Sequence, residues 1–197
     1  MNFLAHAYLS FDHEPFIIGN MISDFVKGKN KYNYSDKIQQ GIDLHRKIDA
    51  FTDDHPLILE AKKIFAPKVR LYSGAFVDVA MDYFIANDPT IKSPEQWEIF
   101  SERIYKVLSN NTNILPQRFL KMLPYMLKED WLYNYRYKWG IENGIRNVVR
   151  RAKFLSNDTD VFPDFEENIP QLQEIYAKFF PQLYGFVVDN VRIMISD

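Results

Sequence analysis

The chain has 197 residues, of which 24 are Lys or Arg and 26 are Asp or Glu, giving a formal net charge of −2. Its hydrophobic share of 47% supplies enough apolar surface for one large core, so we expect a single domain over residues 1–197. The near-neutral charge argues against broad electrostatic binding of nucleic acid, and the absence of cysteine excludes disulfides, cysteine-ligated zinc and iron–sulfur clusters.

Helical spacing dominates the sequence. Apolar residues recur at intervals of three and four, and there are only seven glycines, which predicts an all-α fold, a single-domain helical bundle. One or two helical turns are expected at 2–10, and longer helices at 16–28, 35–52, 57–65, 71–87, 94–109, 117–128, 131–153, 164–180 and 182–195. We expect Ser35 and Ser93 to cap helices, Pro56, Pro116 and Pro181 to begin them, and 156–163 to form a surface loop.

The N-terminal stretch has neither the pattern of a signal peptide nor an uncharged run of roughly 18 apolar residues. We therefore expect a cytoplasmic protein with no membrane partner. Within this stretch, His6 is a polar group in the apolar sequence NFLAHAYLS. Asp24 is the only ionised group in FIIGNMISDFV, with Asn20 one turn before it. A lone buried charge is costly, so Asp24 and His6 are candidates for a functional site.

Three polar residues, His45, Asp49 and Asp53, are spaced by four in the amphipathic segment 35–54 and share one helix face. His45 and Asp49 could bind one metal ion together, or Asp49 could orient the imidazole. A hydrogen-bonded structural histidine is the alternative for His45. Capping of the following helix is the alternative for Asp53 and Asp54.

The segment 71–86 is apolar nearly all round, which is typical of a buried helix, yet it carries Asp78 and Asp82 four residues apart on one face. Buried carboxylates repel each other, so each needs a basic partner, a shared proton or a metal cation. Structural salt bridges to Arg46 or Arg70 are the alternative interpretation.

Taken together, these side chains are of the kind with which a helix bundle holds a metal ion in its core. The set comprises His6, Asp24, His45, Asp49, Asp78 and Asp82. In a chain without cysteine, such ligands suit Mn²⁺ or Mg²⁺, or zinc held by His and carboxylate. Spacing assigns each residue to a face of its own helix, and the convergence of several helices is a further hypothesis.

Several blocks in a fixed order carry a family resemblance. They are MNFLAHAYLS at 1–10, GNMISDFVKG at 19–28, GIDLHRKIDAFTDDHP at 41–56 and DVAMDYF at 78–84, then PQRF at 116–119, the set Trp131, Tyr135 and Arg136, and the pair Arg150 and Arg151. Together they resemble the acyl carrier protein phosphodiesterase family over most of the chain. The string LHRxIDxxTDxxP is the most specific part of this resemblance.

The resemblance implies a helical fold distantly akin to the HD-domain phosphohydrolases, with Mn²⁺ as the preferred metal. It implies hydrolysis of the phosphodiester that joins 4'-phosphopantetheine to a serine of holo acyl carrier protein, giving apo carrier protein and free 4'-phosphopantetheine. The implied metal ligands are His6, Asp24, His45 and Asp78, followed by Asp49, Asp53 and Asp82. The chain departs from the HD pattern because Arg46 follows His45, and Tyr83 stands where family members of the Asp-His-Phe type have His.

For this chemistry, we expect Asp49 or Asp82 to accept a proton from water, and Arg46 or Lys47 to hold the phosphate. Because carrier proteins are acidic, basic clusters are expected to bind the partner. The candidates are Arg146, Arg150, Arg151 and Lys153 in one cluster, Lys27, Lys29 and Lys31 in another, and Arg136. A solvated helix face is the alternative for either cluster.

The sequence is also compatible with two other functions. One is a metal phosphohydrolase acting on a nucleotide or a small phosphodiester, which would turn over a small substrate without carrier protein. The other is a catalytically idle helical module that binds carrier protein and uses the buried carboxylates for structure. The number of isolated ionisable groups on separate apolar helices argues against the idle module.

Overall fold

The structure, a computed structural model, describes residues 1–196. It is helical throughout this range and contains no strand there, which confirms the all-α prediction. The α-helices are α1 (Phe3–Tyr8), α2 (Glu14–Ile22), α3 (Asp36–Asp54), α4 (Pro56–Val69), α5 (Ser73–Ala86), α6 (Pro94–Asn110), α7 (Gln117–Lys128), α8 (Trp131–Asn134), α9 (Lys138–Arg151), α10 (Phe162–Glu167) and α11 (Ile169–Ser196). Turns of 3₁₀ helix occupy Ser23–Phe25, Gly28–Asn33 and Arg70–Tyr72.

Helix α5 lies at the centre of the core. It packs against α1, α4, α9 and α11, and its side chains Phe76, Val77 and Met81 are fully buried. This placement explains why the sequence of α5 is apolar nearly all round, since no face of the helix is left to water. Among the described residues, no helix is long and apolar enough to cross a membrane.

Helices α2 and α3 cross at very close range. A Cβ atom added at Gly19 would lie 2.4 Å from the backbone oxygen of Ile38 and 2.6 Å from the backbone nitrogen of Ile42. Real Cβ atoms do not approach backbone so closely, so only glycine permits this crossing. The close approach brings Asn20, the neighbour of Gly19, against His45 of α3.

Several predicted helices are wrong in their limits. The helix expected at 16–28 ends at Ile22, and the one expected at 164–180 is divided at Asn168 between α10 and α11. The helix expected at 131–153 is broken into α8 and α9, because the chain turns after Asn134. After this turn the Asn134 oxygen lies against Gly140, in the space that a Cβ atom at this position would occupy. The helix expected to begin at Pro181 does not begin there, because α11 continues through this residue. Buried Phe179 and Leu183 on either side of the proline pack against the core, and this packing outweighs the usual cost of an internal proline.

Helix caps follow the expectations in part. Ser93 forms a capping box with Gln96, whereas the side chain of Ser35 precedes α3 without making a capping hydrogen bond. Pro56 and Pro116 stand at the starts of α4 and α7, as predicted. The capping alternative for Asp53 and Asp54 is wrong, because His55 is the cap of α4 and its Nδ1 accepts from the Leu57 N–H at 3.3 Å. The predicted loop at 156–163 is confirmed up to Val161, where α10 follows.

Candidate metal centre

Two buried histidines from different helices form the centre of the site. His6 of α1 and His45 of α3 stack with ring centroids 3.8 Å apart and an interplanar angle of 13°. Their exposed fractions are 3% and 6%. Stacked imidazoles at this distance repel each other if both carry a proton charge, so we expect at most one ring to be protonated, and that ring to lie beside negative charge.

Asp49 supplies that negative charge. Its Oδ1 lies 3.2 Å from His6 Nε2, and its Oδ2 lies 3.1 Å from His45 Nε2. Neither buried Nε2 atom has a hydrogen-bond partner of good geometry among the described residues. Asp49 and His45 therefore share a helix face, as their spacing of four predicted, and both imidazoles present an uncommitted nitrogen toward one carboxylate.

Asn20 sets the orientation of both rings. His6 Nδ1 lies 2.9 Å from Asn20 Oδ1, and His45 Nδ1 lies 2.7 Å from the backbone oxygen of Asn20. The carbonyl can only accept, so His45 Nδ1 is the donor. The Asn20 Nδ2 donates to Ser10 Oγ at 3.0 Å, while Ser10 Oγ donates to the His6 oxygen, which leaves Asn20 Oδ1 as the acceptor for His6. Both Nδ1 atoms therefore carry hydrogen, and each Nε2 faces the site.

The two histidines differ in pKa. Burial and the neighbouring His45 lower the pKa of His6 to about 4 although Asp49 acts to raise it, so this ring is neutral. Burial also acts to lower the pKa of His45, but the carboxylates of Asp24 and Asp49 outweigh it and raise the pKa to about 9. Burial opposes ionisation of Asp49, yet contact with His45 and His6 holds the pKa of this carboxyl well below its usual range.

Asp24 and Asp78 lie at the two ends of a chain of contacts that runs through His45, Asp49 and the Met1 nitrogen. Asp24, in the turn Ser23–Phe25, has its Oδ1 3.3 Å from His45 Nε2, and this contact lowers the pKa of Asp24. Its side chain is 73% exposed, so it forms the solvent edge of the site. Asp78 reaches the cluster through the Met1 nitrogen, which lies 3.0 Å from Asp78 Oδ1 and 3.4 Å from Asp49 Oδ1.

Positive charge at Met1 is therefore held between two carboxylates. Burial opposes the charged amine, but Asp78 and Asp49 raise its pKa to about 10. Burial raises the pKa of Asp78 despite this neighbour. The position between Asp49 and Asp78 therefore favours positive charge, which the Met1 ammonium group supplies.

Asp82 lies outside the histidine cluster. Its side chain is fully buried, and its two oxygens accept hydrogen bonds from the backbone N–H groups of Leu4 and Ala5, at 2.8 and 3.1 Å. These donors are the first free N–H groups of α1, so Asp82 caps this helix from across the core. Burial raises the pKa of Asp82 to about 7.

The predicted alternative of salt bridges to Arg46 or Arg70 is wrong for both carboxylates of α5. Asp78 pairs with the Met1 nitrogen, and Asp82 pairs with backbone donors. Arg46 instead donates to the Val26 oxygen at 3.3 Å and lies beside Asp43.

A divalent cation fits the three central side chains. One ligand atom each from His6, His45 and Asp49 can be chosen so that all lie within 4.8 Å of one another. This separation suits a single ion bound by two imidazole nitrogens and a carboxylate oxygen, since metal–ligand distances of about 2.0–2.2 Å place such atoms about 3–4 Å apart. The two uncommitted, buried Nε2 atoms are the observation that supports this fit.

The other predicted site residues lie apart from this cluster. Asp53 is exposed and pairs with Lys62 at 2.8 Å. Lys27 is exposed beyond the Asp24 turn, and Lys31 pairs with Asp43 at 2.9 Å. The Arg136 guanidinium lies over the rings of Tyr133 and Tyr137, and Arg146 pairs with Glu142. The Lys153 ammonium lies over the ring of Phe154.

Arg150 and Arg151 line a cavity that the sequence did not predict. It has a volume of about 380 Å³ and lies beside α9, and we call it the α9 cavity. Its lining includes Asn2, Tyr125, Trp131, Trp139, Asn143 and Asn147. Its aromatic and amide side chains come from three helices and the N-terminal segment, and helical spacing in any one of these elements gave no signal of the cavity.

The fold and the site together define an all-helical protein with a buried histidine and carboxylate cluster suited to a divalent cation. A family model described as acyl carrier protein phosphodiesterase matches residues 1–183, so the chain belongs to the acyl carrier protein phosphodiesterase family.

Relatives with this name align along nearly their whole length. The chain is 27% identical to an acyl carrier protein phosphodiesterase of Photorhabdus laumondii over 188 residues, covering 93% of each chain. It is 29% identical to that of Yersinia enterocolitica over 195 residues, covering 96% of this chain and 99% of the relative. The protein of that name from Enterobacter sp. is 29% identical over 188 residues. No solved structure matches the chain, so the implied kinship with HD-domain proteins stays a prediction.

Proposed function

We propose that this chain is a metal-dependent phosphodiesterase that releases 4'-phosphopantetheine from the serine of holo acyl carrier protein. The family assignment supports the substrate class. The observation that carries the metal-dependent part is the pair of stacked, buried histidines whose uncommitted Nε2 atoms both face Asp49. Both nitrogens lie within 3.3 Å of carboxylate oxygens without making a hydrogen bond of good geometry, an arrangement that suits a cation shared by these groups.

His6, His45 and Asp49 would hold the ion, with Mn²⁺ as the expected cofactor and Mg²⁺ as the alternative. Asp24 and Asp78, at the two ends of the contact chain, would complete the negative surroundings of the cation. When bound, a divalent ion of this kind acidifies water and withdraws charge from phosphoryl oxygens. Binding would release the proton that Asp24 and Asp49 retain on His45, so the affinity for metal should rise with pH.

The side chains at the solvent edge would position the reacting groups. Asp24 is exposed and ionised beside His45, so it can accept a proton from an attacking water. This role moves proton acceptance away from Asp82, whose two oxygens are already occupied by backbone donors. Arg46 is anchored to the Val26 oxygen, two residues beyond Asp24, and its half-exposed guanidinium can grip a phosphate at this edge.

The carrier protein would dock through its acidic surface. Lys27, next to the Asp24 turn, is a basic group on the exposed edge of the site. Arg146, Arg150 and Arg151 of α9, with Arg136, provide further positive charge on another side. Electrostatic attraction of this kind raises the rate of association more than it raises affinity. A cytoplasmic location, where carrier proteins act, is part of the same proposal.

The test is incubation of the purified protein with holo acyl carrier protein, with and without Mn²⁺, followed by mass spectrometry of the carrier. We expect loss of the phosphopantetheine mass only when metal is present. A parallel assay with bis(p-nitrophenyl) phosphate, without carrier protein, separates the small-substrate hydrolase from the carrier-specific enzyme. Binding of holo carrier without any mass change under Mn²⁺ or Mg²⁺ would favour the idle module instead.

A further inference from the structure

We propose that the α9 cavity binds the pantetheine arm of the substrate, as a subsite separate from the metal centre. This inference rests on the proposed function, because it takes the arm to be the part of the substrate next to the bond that is cut. The arm is a flexible chain with a pair of amide groups, a hydroxyl group, a geminal dimethyl group and a terminal thiol. A suitable subsite must therefore offer both amide partners and flat apolar surface.

One face of α9 supplies the amide partners. Trp139, Asn143, Asn147 and Arg151 follow one another at intervals of four along this helix and all line the cavity. The side-chain amides of Asn143 and Asn147 make no hydrogen bond to any other described residue, although a primary amide can donate and accept at once. Two such groups lie about 6 Å apart along the helix axis, at about 1.5 Å per residue, so each can pair with a different amide group of the arm.

The opposite wall supplies the apolar surface. Trp131 and Tyr125 face α9 across the cavity, and Trp131 Nε1 is already bound to Glu129 at 2.8 Å, so its ring offers only an apolar surface. Tyr125 and Trp139 are 62% and 50% exposed. A ligand lying between these rings would cover surface that the fold itself leaves open to water.

The cavity adjoins the metal centre through two segments. Asn2 lines the cavity and donates to Tyr135 at 2.7 Å, while the preceding residue, Met1, contacts Asp49 and Asp78. Val79 lines the cavity and directly follows Asp78. Consecutive Cα atoms are about 3.8 Å apart, so the cavity lies next to the metal centre, as a subsite for the adjoining part of the substrate requires. The volume of about 380 Å³ is within the range of small-molecule sites.

The test uses pantetheine, which has neither the phosphate nor the carrier protein. Trp131 and Trp139 line the cavity, while the third tryptophan, Trp97, is buried elsewhere with 2% exposure. We expect pantetheine to change the tryptophan fluorescence of the native protein in a saturable way. The double variant Asn143→Leu with Asn147→Leu should weaken this binding at least tenfold and raise the KM for holo carrier protein with little change in kcat.

Controls keep the outcomes separate. Asn110→Leu makes the same chemical change at an exposed helical position outside the cavity and should bind pantetheine like the native chain. If the double variant does not fold, Tyr125→Ala, at an exposed position, must give the same loss. The subsite proposal is overturned if pantetheine causes no saturable change in the tryptophan fluorescence of the native protein. It is also overturned if the folded cavity variants bind pantetheine as tightly as the native protein does. If holo carrier is hydrolysed in that case, the proposed function stands without it. If pantetheine binds but holo carrier is never hydrolysed, the proposed function is what fails.

Discussion

His6 and His45 stack ring on ring, with 3.8 Å between centroids, although they lie 39 positions apart on helices α1 and α3. The stack aligns both Nε2 atoms on the two oxygens of one carboxylate, Asp49, at 3.2 and 3.1 Å. Asp49 is therefore the single residue on which the centre depends most. Without its charge, the protonated form of His45 would lose one of the two carboxylates that stabilise it.

Asp49→Asn is expected to lower hydrolysis of holo carrier protein by about 10²–10⁴-fold and to weaken Mn²⁺ binding. The amide keeps the size of the side chain but removes its charge and one acceptor oxygen. Initial rates by mass spectrometry and Mn²⁺ titration by calorimetry measure the two effects.

Asp53→Asn is the matched control, since it makes the same change one turn further along the same helix. Asp53 is exposed and pairs only with Lys62 among the described side chains, so activity should stay within about twofold of the native chain. If Asp49→Asn and Asp53→Asn lose the same amount of activity, Asp49 has no particular role in the reaction, and the metal centre must lie elsewhere.

Asn20→Ala is expected to release His6 while leaving His45 in place. His6 depends on the Asn20 side chain, whereas His45 bonds to the Asn20 backbone oxygen, which the substitution keeps. Histidine NMR spectra of the metal-free variant should therefore show a loss of the His6 Nδ1–H signal and retention of that of His45. Mn²⁺ affinity should fall by about 10–100-fold, the usual effect of removing a group that orients a metal ligand.

A second asparagine provides the comparison for this variant. Asn190, on α11, is likewise hydrogen-bonded through both ends of its amide, since it donates to the Phe186 oxygen and accepts from Lys47, but it contacts neither histidine. Asn190→Ala should leave both histidine signals and the Mn²⁺ affinity unchanged. Persistence of the His6 signal in Asn20→Ala would show that another group orients this ring.

The sequence predicted the helical fold and the faces on which the polar residues lie, because both depend on local spacing. The shared face of His45 and Asp49 is an example, and the structure confirms it. It could not predict that Asp82 caps α1, because that contact joins residues 78 positions apart and depends on the packing of two helices. Asn20 was noted only as a neighbour of Asp24, since a buried amide has no charge to mark it as costly.

The same limit applies to the cavity and to the helix breaks. The α9 cavity is built by side chains from several elements, so it exists only after these elements have packed. Pro181 predicted a helix start from a local rule, and tertiary packing of α11 overrode this rule. The metal ligands and the cofactor stay predictions, for which the variants of Asp49 and Asn20 are the tests.

Gly19→Ala tests the close crossing that places Asn20 beside His45. The new methyl group would meet backbone atoms of α3 at 2.4–2.7 Å, and backbone cannot move aside as a flexible side chain can. We expect the free energy of unfolding to fall by about 1–3 kcal/mol or more, measured by urea denaturation. Gly185→Ala is the control, because its Cβ would meet open space within α11 and should raise stability by about 0.5–1 kcal/mol. A stable Gly19→Ala variant would mean that the helices are not so closely packed.

Asp82 provides a pH-dependent test of the buried cap. Burial raises the pKa of Asp82 to about 7 in the folded protein, against 3.8 for an aspartate side chain in water. A carboxyl whose pKa is raised on folding favours the folded state below its unfolded pKa, and this contribution is lost as the pH rises through the folded value. The loss between about pH 4 and pH 7 is of the order of 4 kcal/mol, at about 1.4 kcal/mol for each pKa unit.

Asp82→Asn removes this titration. At pH 5 the native carboxyl is protonated and, like the amide, offers one good acceptor oxygen to the N–H groups of α1, so the two free energies of unfolding should differ by less than about 1 kcal/mol. At pH 8 the native carboxyl is ionised in a buried position, so the native chain should lose stability relative to the variant, by about 1.4 kcal/mol for each pH unit between pH 5 and its folded pKa. Asp88→Asn is the control. Burial acts to raise the pKa of Asp88, but hydrogen bonds from Thr90 and Tyr176 outweigh it and lower the pKa. The Asp88 carboxylate therefore stays ionised at pH 5 and pH 8, and the substitution should change the free energy of unfolding equally at both pH values. The free energies of unfolding are measured by urea denaturation of the metal-free proteins at both pH values. If the difference in free energy between the native chain and Asp82→Asn does not change with pH, this carboxyl is ionised at both values.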